Sequence, residues 1–127
     1  MGTPRKLLLA DDDASMRVGV ADLLETLDLV VLQAESGLEA VELARTTRVH
    51  AALLDLQMPV LSGIDALTRL RDEFAGLPCI LYSGALTPAT AEMATTRGAF
   101  AVLKKPVAPD LLRAEVLRAL DHSPFLN

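Results

Sequence analysis

Five short apolar runs punctuate this chain: Lys6–Ala10, Val30–Ala34, Ala51–Leu54, Cys79–Tyr82 and Ala101–Leu103. Each is strand-length and rich in Leu, Val or Ala, and most lack the apolar–polar alternation of a strand with one wet face. Runs of this kind suit strands buried on both sides, as in a parallel sheet covered by helices. Helical patterns fill the gaps. Met16, Val20, Leu23, Leu24 and Leu27 recur with helical period, and Ser36 with Glu39 reads as a capping box opening the next helix. Leu61, Ile64, Leu67 and Leu70 form a third stripe, with Ser62 as its cap. Thr87-Pro88 starts a fourth helix that Gly98 can end, and Pro109 opens a fifth in which Leu112, Val116 and Leu120 share a face. The fourth has Met93 as its only large apolar residue, so little burial anchors it.

This alternation predicts an α/β fold, a doubly wound five-stranded parallel sheet with five helices. The 127 residues suffice for one core and are too few for two. The expected boundaries are one domain over 1–121 and a patternless tail, 122–127. No apolar run reaches membrane-spanning length. The stretch after Arg5 and Lys6 stops at Asp11, too short for a signal peptide, and Lys6 stands where a myristoylation motif at Met1-Gly2 needs Ser or Thr. A net charge of −5, one Tyr, three Phe and no Trp argue against direct nucleic-acid binding. The single Cys79 reads as an inert core residue, in keeping with a cytoplasmic setting.

In doubly wound sheets ligands bind beyond the carboxyl ends of the strands. The first run is followed by Asp11, Asp12 and Asp13, the third by Asp55, the fourth by Ser83-Gly84 and the fifth by Lys104-Lys105-Pro106. The second ends in Glu35-Ser36, which reads as capping alone. Taken alone, each Asp of the triplet is a good helix cap, and Asp13 keeps that reading. The other strand ends change it for Asp11 and Asp12. Together with Asp55 they offer hard oxygens suited to Mg²⁺, and Lys105 would balance charge and grip a phosphoryl group. Lys104 reads as a solvated charge, and His50 and His122 as surface or loop residues.

"LLLADDDASMR", "ALLDLQMPVLSG", "ILYSGA" and "LKKP", in that order over Lys6 to Leu120, resemble the receiver domain of two-component response regulators. The resemblance implies a flavodoxin-like sheet of order 2-1-3-4-5. It implies that Asp55 is the phosphoacceptor, that Asp12 ligates Mg²⁺ directly and Asp11 mainly through water, and that Gln57 lends the metal its backbone carbonyl. Ser83 would be the switch hydroxyl and Lys105 the phosphoryl contact, with a cis bond to Pro106. The domain would be a phosphoacceptor that catalyses its own phosphorylation and dephosphorylation rather than a conventional enzyme. Its partners would be a histidine kinase or phosphotransfer protein and a downstream effector, with a weak homodimer left open. Three departures from the family pattern stand out. Val102 replaces the usual Tyr or Phe three residues before Lys105, which puts aromatic gating in question and leaves Phe100 or Tyr82 to contribute. Ala101 replaces an acidic residue used in one style of dimer, and Ser62 an Asp before Gly63. The competing readings are a phosphorylation-independent interaction module and a dehalogenase-type phosphohydrolase. The latter wants a second Asp where Gln57 stands, and no Gly-rich loop follows the first strand to suggest a nucleotide fold.

Overall fold

The computed structural model describes residues 4–124; the Met1-Gly2 motif and residues 125–127 of the expected tail lie outside them. The elements run β1 (Lys6–Ala10), α1 (Ala14–Glu25), β2 (Val30–Ala34), α2 (Gly37–Thr46), β3 (Ala51–Asp55), α3 (Gly63–Glu73), β4 (Cys79–Ser83), α4 (Pro88–Thr96), β5 (Ala101–Lys104) and α5 (Pro109–Asp121). The strands form one parallel sheet of order β2-β1-β3-β4-β5. The last three strands run one residue beyond their apolar runs, so that Asp55, Ser83 and Lys104 close them.

Alternate residues along the inner strands enter two cores. Leu8, Ala52, Leu54, Cys79 and Leu81 pack under α2, α3 and α4, whereas Leu7, Leu9, Leu53, Ile80 and Tyr82 pack under α1 and α5. β3 and β4 are buried along their whole length, which is why their sequence shows no alternation. Cys79 is free and fully enclosed, and burial pushes its thiol up to about 12.

The caps follow the sequence. Asp13, Ser36, Ser62 and Thr87 each accept from the backbone N–H three residues on, at Met16, Glu39, Asp65 and Thr90. One detail differs at α2: the Glu39 carboxylate reaches back to the N–H of Glu35, not of Ser36, so the box is shifted by a residue. Helix α1 ends at Glu25, leaving Leu27 beyond it, and its inward face carries Arg17 beside Val20, Ala21 and Leu24. Gly98 (φ 96°) ends α4 in a Schellman motif: its N–H donates to Thr95 O and that of Ala99 to Ala94 O. Only Ala94 of α4 is buried, and Met93 is 47% exposed. No helix among the described residues is long and apolar enough to cross a membrane.

His50 is not the surface residue that its position before β3 suggests. It is buried, its Nδ1 accepts from the Lys6 N–H at 2.9 Å, and its Nε2 has no partner among the described residues. The ring thus bridges β1 to the start of β3. Burial holds its pKa below the ordinary 6.5, and the charges of Arg5, Lys6 and Arg48 act in the same direction. The unfolded chain therefore binds more protons than the folded one just below pH 6.5, so stability falls as pH drops through that window. Denaturant midpoints at about pH 7.5 and about pH 5.5 will show this loss in the wild type. His50→Asn keeps an acceptor but cannot titrate, and its midpoint will lose that part of the pH dependence.

Candidate functional site

The polar strand ends meet at the carboxyl edge of the sheet. Asp11 follows β1 and is fully buried; Asp55 closes β3 and is nearly so; Asp12 is exposed. One carboxylate oxygen from each of the three lies within 4.8 Å of the others. Lys105, after β5, reaches in with Nζ at 3.3 Å from Asp11 Oδ2 and 3.4 Å from Asp55 Oδ2. Its bond to Pro106 is cis, as the resemblance implied. Segments nearly a hundred residues apart thus share one pocket because parallel strands deliver their ends to the same edge.

The donors around these acids are fixed by backbone. Asp11 Oδ1 accepts from the Asp13 N–H at 2.9 Å, and Asp55 Oδ1 from the Gln57 N–H at 3.2 Å. The Gln57 side chain is exposed. Desolvation raises the Asp55 pKa above its ordinary value; the Gln57 N–H and Lys105 oppose this, and the Asp11 charge adds to it. The donor set is hard oxygen with one solvent-facing member, which fits a divalent cation such as Mg²⁺. Asp13 stays out of the cluster and caps α1.

Ser83 is fully buried at the end of β4, where its Oγ accepts from the Ala85 N–H at 3.0 Å. In this structure the hydroxyl braces its own loop. The two aromatic candidates are engaged elsewhere than at Val102, which packs on the α2–α3–α4 side. Phe100 lies on the α5 side, 5.3 Å from the His122 ring and under the Arg118 guanidinium.

Sequence reasoning named Tyr82 only as a stand-in for aromatic gating and missed its bond to Asp11, and it missed Arg17 altogether. The Tyr82 hydroxyl donates to Asp11 Oδ2 at 2.6 Å, and Lys105 Nζ lies 4.4 Å from its ring centroid. Arg17 donates from Nη1 to the Asp11 carbonyl at 2.7 Å and from Nε to Gln33 Oε1 at 3.2 Å, fixing the backbone at the start of the acidic triplet. Each had a signal. Tyr82 is the chain's sole tyrosine, in an otherwise aliphatic strand beside Ser83. Arg17 is a charge at helical spacing from Val20, Ala21 and Leu24, and a charge on a buried face needs a partner.

The loop between Asp55 and α3 is held tightly. The Gly63 N–H donates to Leu56 O at 2.9 Å, and α3 starts so close that a Cβ on Gly63 would run into the Asp55 carbonyl oxygen and stand 2.7 Å from Leu56 Cα. Val60, 91% exposed, has φ 67°, and the Leu61 N–H closes a tight turn across it onto Pro59 O at 2.7 Å. A β-branched residue in this region is strained by about 1–3 kcal/mol, so its neighbours must impose the conformation.

Comparison with known proteins gives one consistent result. The family model of the response regulator receiver domain matches residues 7–117. The chain is 35% identical over 104 residues to a response regulator receiver protein of Anaeromyxobacter, covering 82% of this chain and 44% of that one. It is 31% identical over 115 residues to the CAI-1 autoinducer sensor kinase/phosphatase CqsS of Vibrio cholerae, covering 88% of this chain and 17% of the other. It therefore spans less than half the length of either relative. Among solved structures, chemotaxis protein CheY4 of Vibrio cholerae superimposes with a TM-score of 0.86 at 26% identity, over 92% of this chain and 99% of that one.

Proposed function

The chain belongs to the response regulator receiver domain family, and on that premise we propose that it is a Mg²⁺-dependent phosphoacceptor switch whose nucleophile is Asp55. One observation carries the reading: the Lys105 ammonium stands 3.4 Å from the Asp55 carboxylate and 3.3 Å from that of Asp11, in a pocket that also holds Asp12. In the proposed step an Asp55 carboxylate oxygen bonds to phosphorus in line as the bond from phosphorus to the donor's leaving group breaks, the electron pair going with that group. Asp55 Oδ1, held by the Gln57 N–H, fixes the carboxylate plane. Lys105 supplies positive charge where phosphoryl oxygens approach, in a partly enclosed site where that charge is only weakly screened.

Bound Mg²⁺ would offset repulsion between the acids and the incoming phosphoryl oxygens. Asp12, the exposed acid, is the direct ligand in this reading. Asp11, buried with both oxygens occupied, acts through water, and the Gln57 carbonyl completes the set. Ser83 would exchange its Ala85 contact for the phosphoryl group, drawing on the loop before α4. The donor would be a histidine kinase or phosphotransfer protein and the reader a downstream effector, in the cytoplasm. The receiver unit is taken as 1–121, with 122–127 as a tail.

The test is intact-mass measurement after exposure to a small phosphodonor. The wild type with Mg²⁺ will gain one phosphoryl group, and chelation by EDTA will abolish the gain. Asp12→Ala will weaken Mg²⁺ binding at least about tenfold by calorimetry, since it removes the one readily accessible ligand. A chain that takes no label with Mg²⁺ present is instead a phosphorylation-independent interaction module.

A further inference from the structure

We propose that Tyr82 is a positioning residue for phosphoryl transfer: its hydroxyl holds Asp11, which releases Lys105 to follow the charge that builds on Asp55. The inference rests on the reading of Asp55 as phosphoacceptor. It starts from the fully buried Asp11 carboxylate, whose oxygens need protein donors. Oδ1 has the Asp13 N–H. Oδ2 has two donors, the Tyr82 hydroxyl at 2.6 Å and the Lys105 ammonium at 3.3 Å. The first distance is that of a strong charge-assisted bond and the second is long. The phenol is thus the main support of this oxygen, and the ammonium is nearly equidistant from Asp11 and Asp55.

Without the phenol, Lys105 would be the sole donor to Asp11 Oδ2 among the described residues. It could then move toward a phosphoryl group only by stranding a buried carboxylate oxygen, which opposes the motion. With the phenol in place, Asp11 stays satisfied when Lys105 leaves. The Tyr82 ring adds a second property. Its face lies 4.4 Å from Lys105 Nζ, within cation–π range, and offers a seat without the directionality of a hydrogen bond. Tyr82 is 1% exposed and packed in the α1–α5 core, so the seat does not move.

Tyr82→Phe keeps the ring and removes only the donor. The rate of Asp55 labelling by a small phosphodonor at saturating Mg²⁺ will fall about tenfold, while the Mg²⁺ Kd from calorimetry stays within about threefold of wild type. If Tyr82 were only filling the core, rate and affinity would fall together or neither would change, and either result overturns the proposal. A second measurement leaves the fold untouched. Because Tyr82 is the sole tyrosine, growth on ring-fluorinated tyrosine labels that position alone. Its fluorine NMR signal will shift when Mg²⁺ and phosphodonor are added, as the ammonium leaves the ring face, and will not respond to the phosphodonor in Asp55→Asn. A signal that stays put in a labelled wild type overturns the proposal. A wild type that takes no label overturns the phosphoacceptor reading beneath it.

Discussion

Asp55→Asn will accept no phosphoryl group, at any Mg²⁺ concentration, from a donor that labels the wild type. The substitution is close to isosteric, and an amide oxygen can still accept from the Gln57 N–H. What it removes is the carboxylate proposed as the nucleophile. Lys105 and Asp11 remain, so a persistent label would have to sit on another residue and would remove Asp55 from its role. The variant carries a second expected effect. In the wild type without metal, a carboxylate is held where desolvation and the Asp11 charge disfavour its ionised form, with the Gln57 N–H and Lys105 only partly compensating. Removing that charge relieves the fold, and the denaturation midpoint of Asp55→Asn in metal-free buffer at neutral pH will lie above that of wild type. Losing the label while gaining stability separates a chemical defect from a folding defect in one preparation.

Gly63→Ala will have the opposite character. Elsewhere in a helix Gly to Ala is favourable by about 0.5–1 kcal/mol, and Gly19, with nothing near its missing Cβ, will show that gain. At Gly63 the new methyl meets backbone: the Asp55 carbonyl and Leu56 Cα, neither of which can rotate away. Helix α3 must back off from the end of β3, breaking the Gly63 N–H bond to Leu56 O or displacing Asp55 itself. We expect a loss of at least about 2 kcal/mol in urea unfolding, together with slower labelling. Gly19→Ala serves as the control with opposite sign. If Gly63→Ala matches wild type in both measurements, the close approach of α3 to Asp55 is wrong.

Much of this architecture can be read without coordinates, for an identifiable reason. Strands buried on both faces demand unbroken apolar runs, so β1, β3 and β4 announce themselves, and each run stops where a polar group must emerge at the sheet edge. Asp11, Asp55, Ser83 and Lys105 are visible for that reason, and Asp13, Ser36, Ser62 and Thr87 because a cap acts over three residues. What stayed hidden depends on contacts across the sheet. His50 does lie in the loop before β3, but its burial is hidden because nothing nearby says that the Lys6 N–H will need an acceptor. Tyr82 shows in the sequence only as a candidate aromatic gate, and its bond to Asp11 is hidden because that partner lies seventy-one positions away. Val60 looks unremarkable among its neighbours, and only the backbone shows its left-handed conformation. Local periodicity carries no information about which distant polar groups will be neighbours.

The turn at Val60 has a mechanical consequence. A residue in the left-handed region keeps that conformation only where the surrounding structure over-determines it. Leu61, next to it, is wedged against Gly37 at the start of α2, and Gly63 abuts Asp55, so β3, its following loop and the starts of α2 and α3 form one stiff block. On the other flank α4 buries Ala94 alone. If Asp55 is phosphorylated as proposed, the resulting force would meet a rigid wall on one side and a compliant one on the other, and the direction in which the molecule yields would be set before any signal arrives.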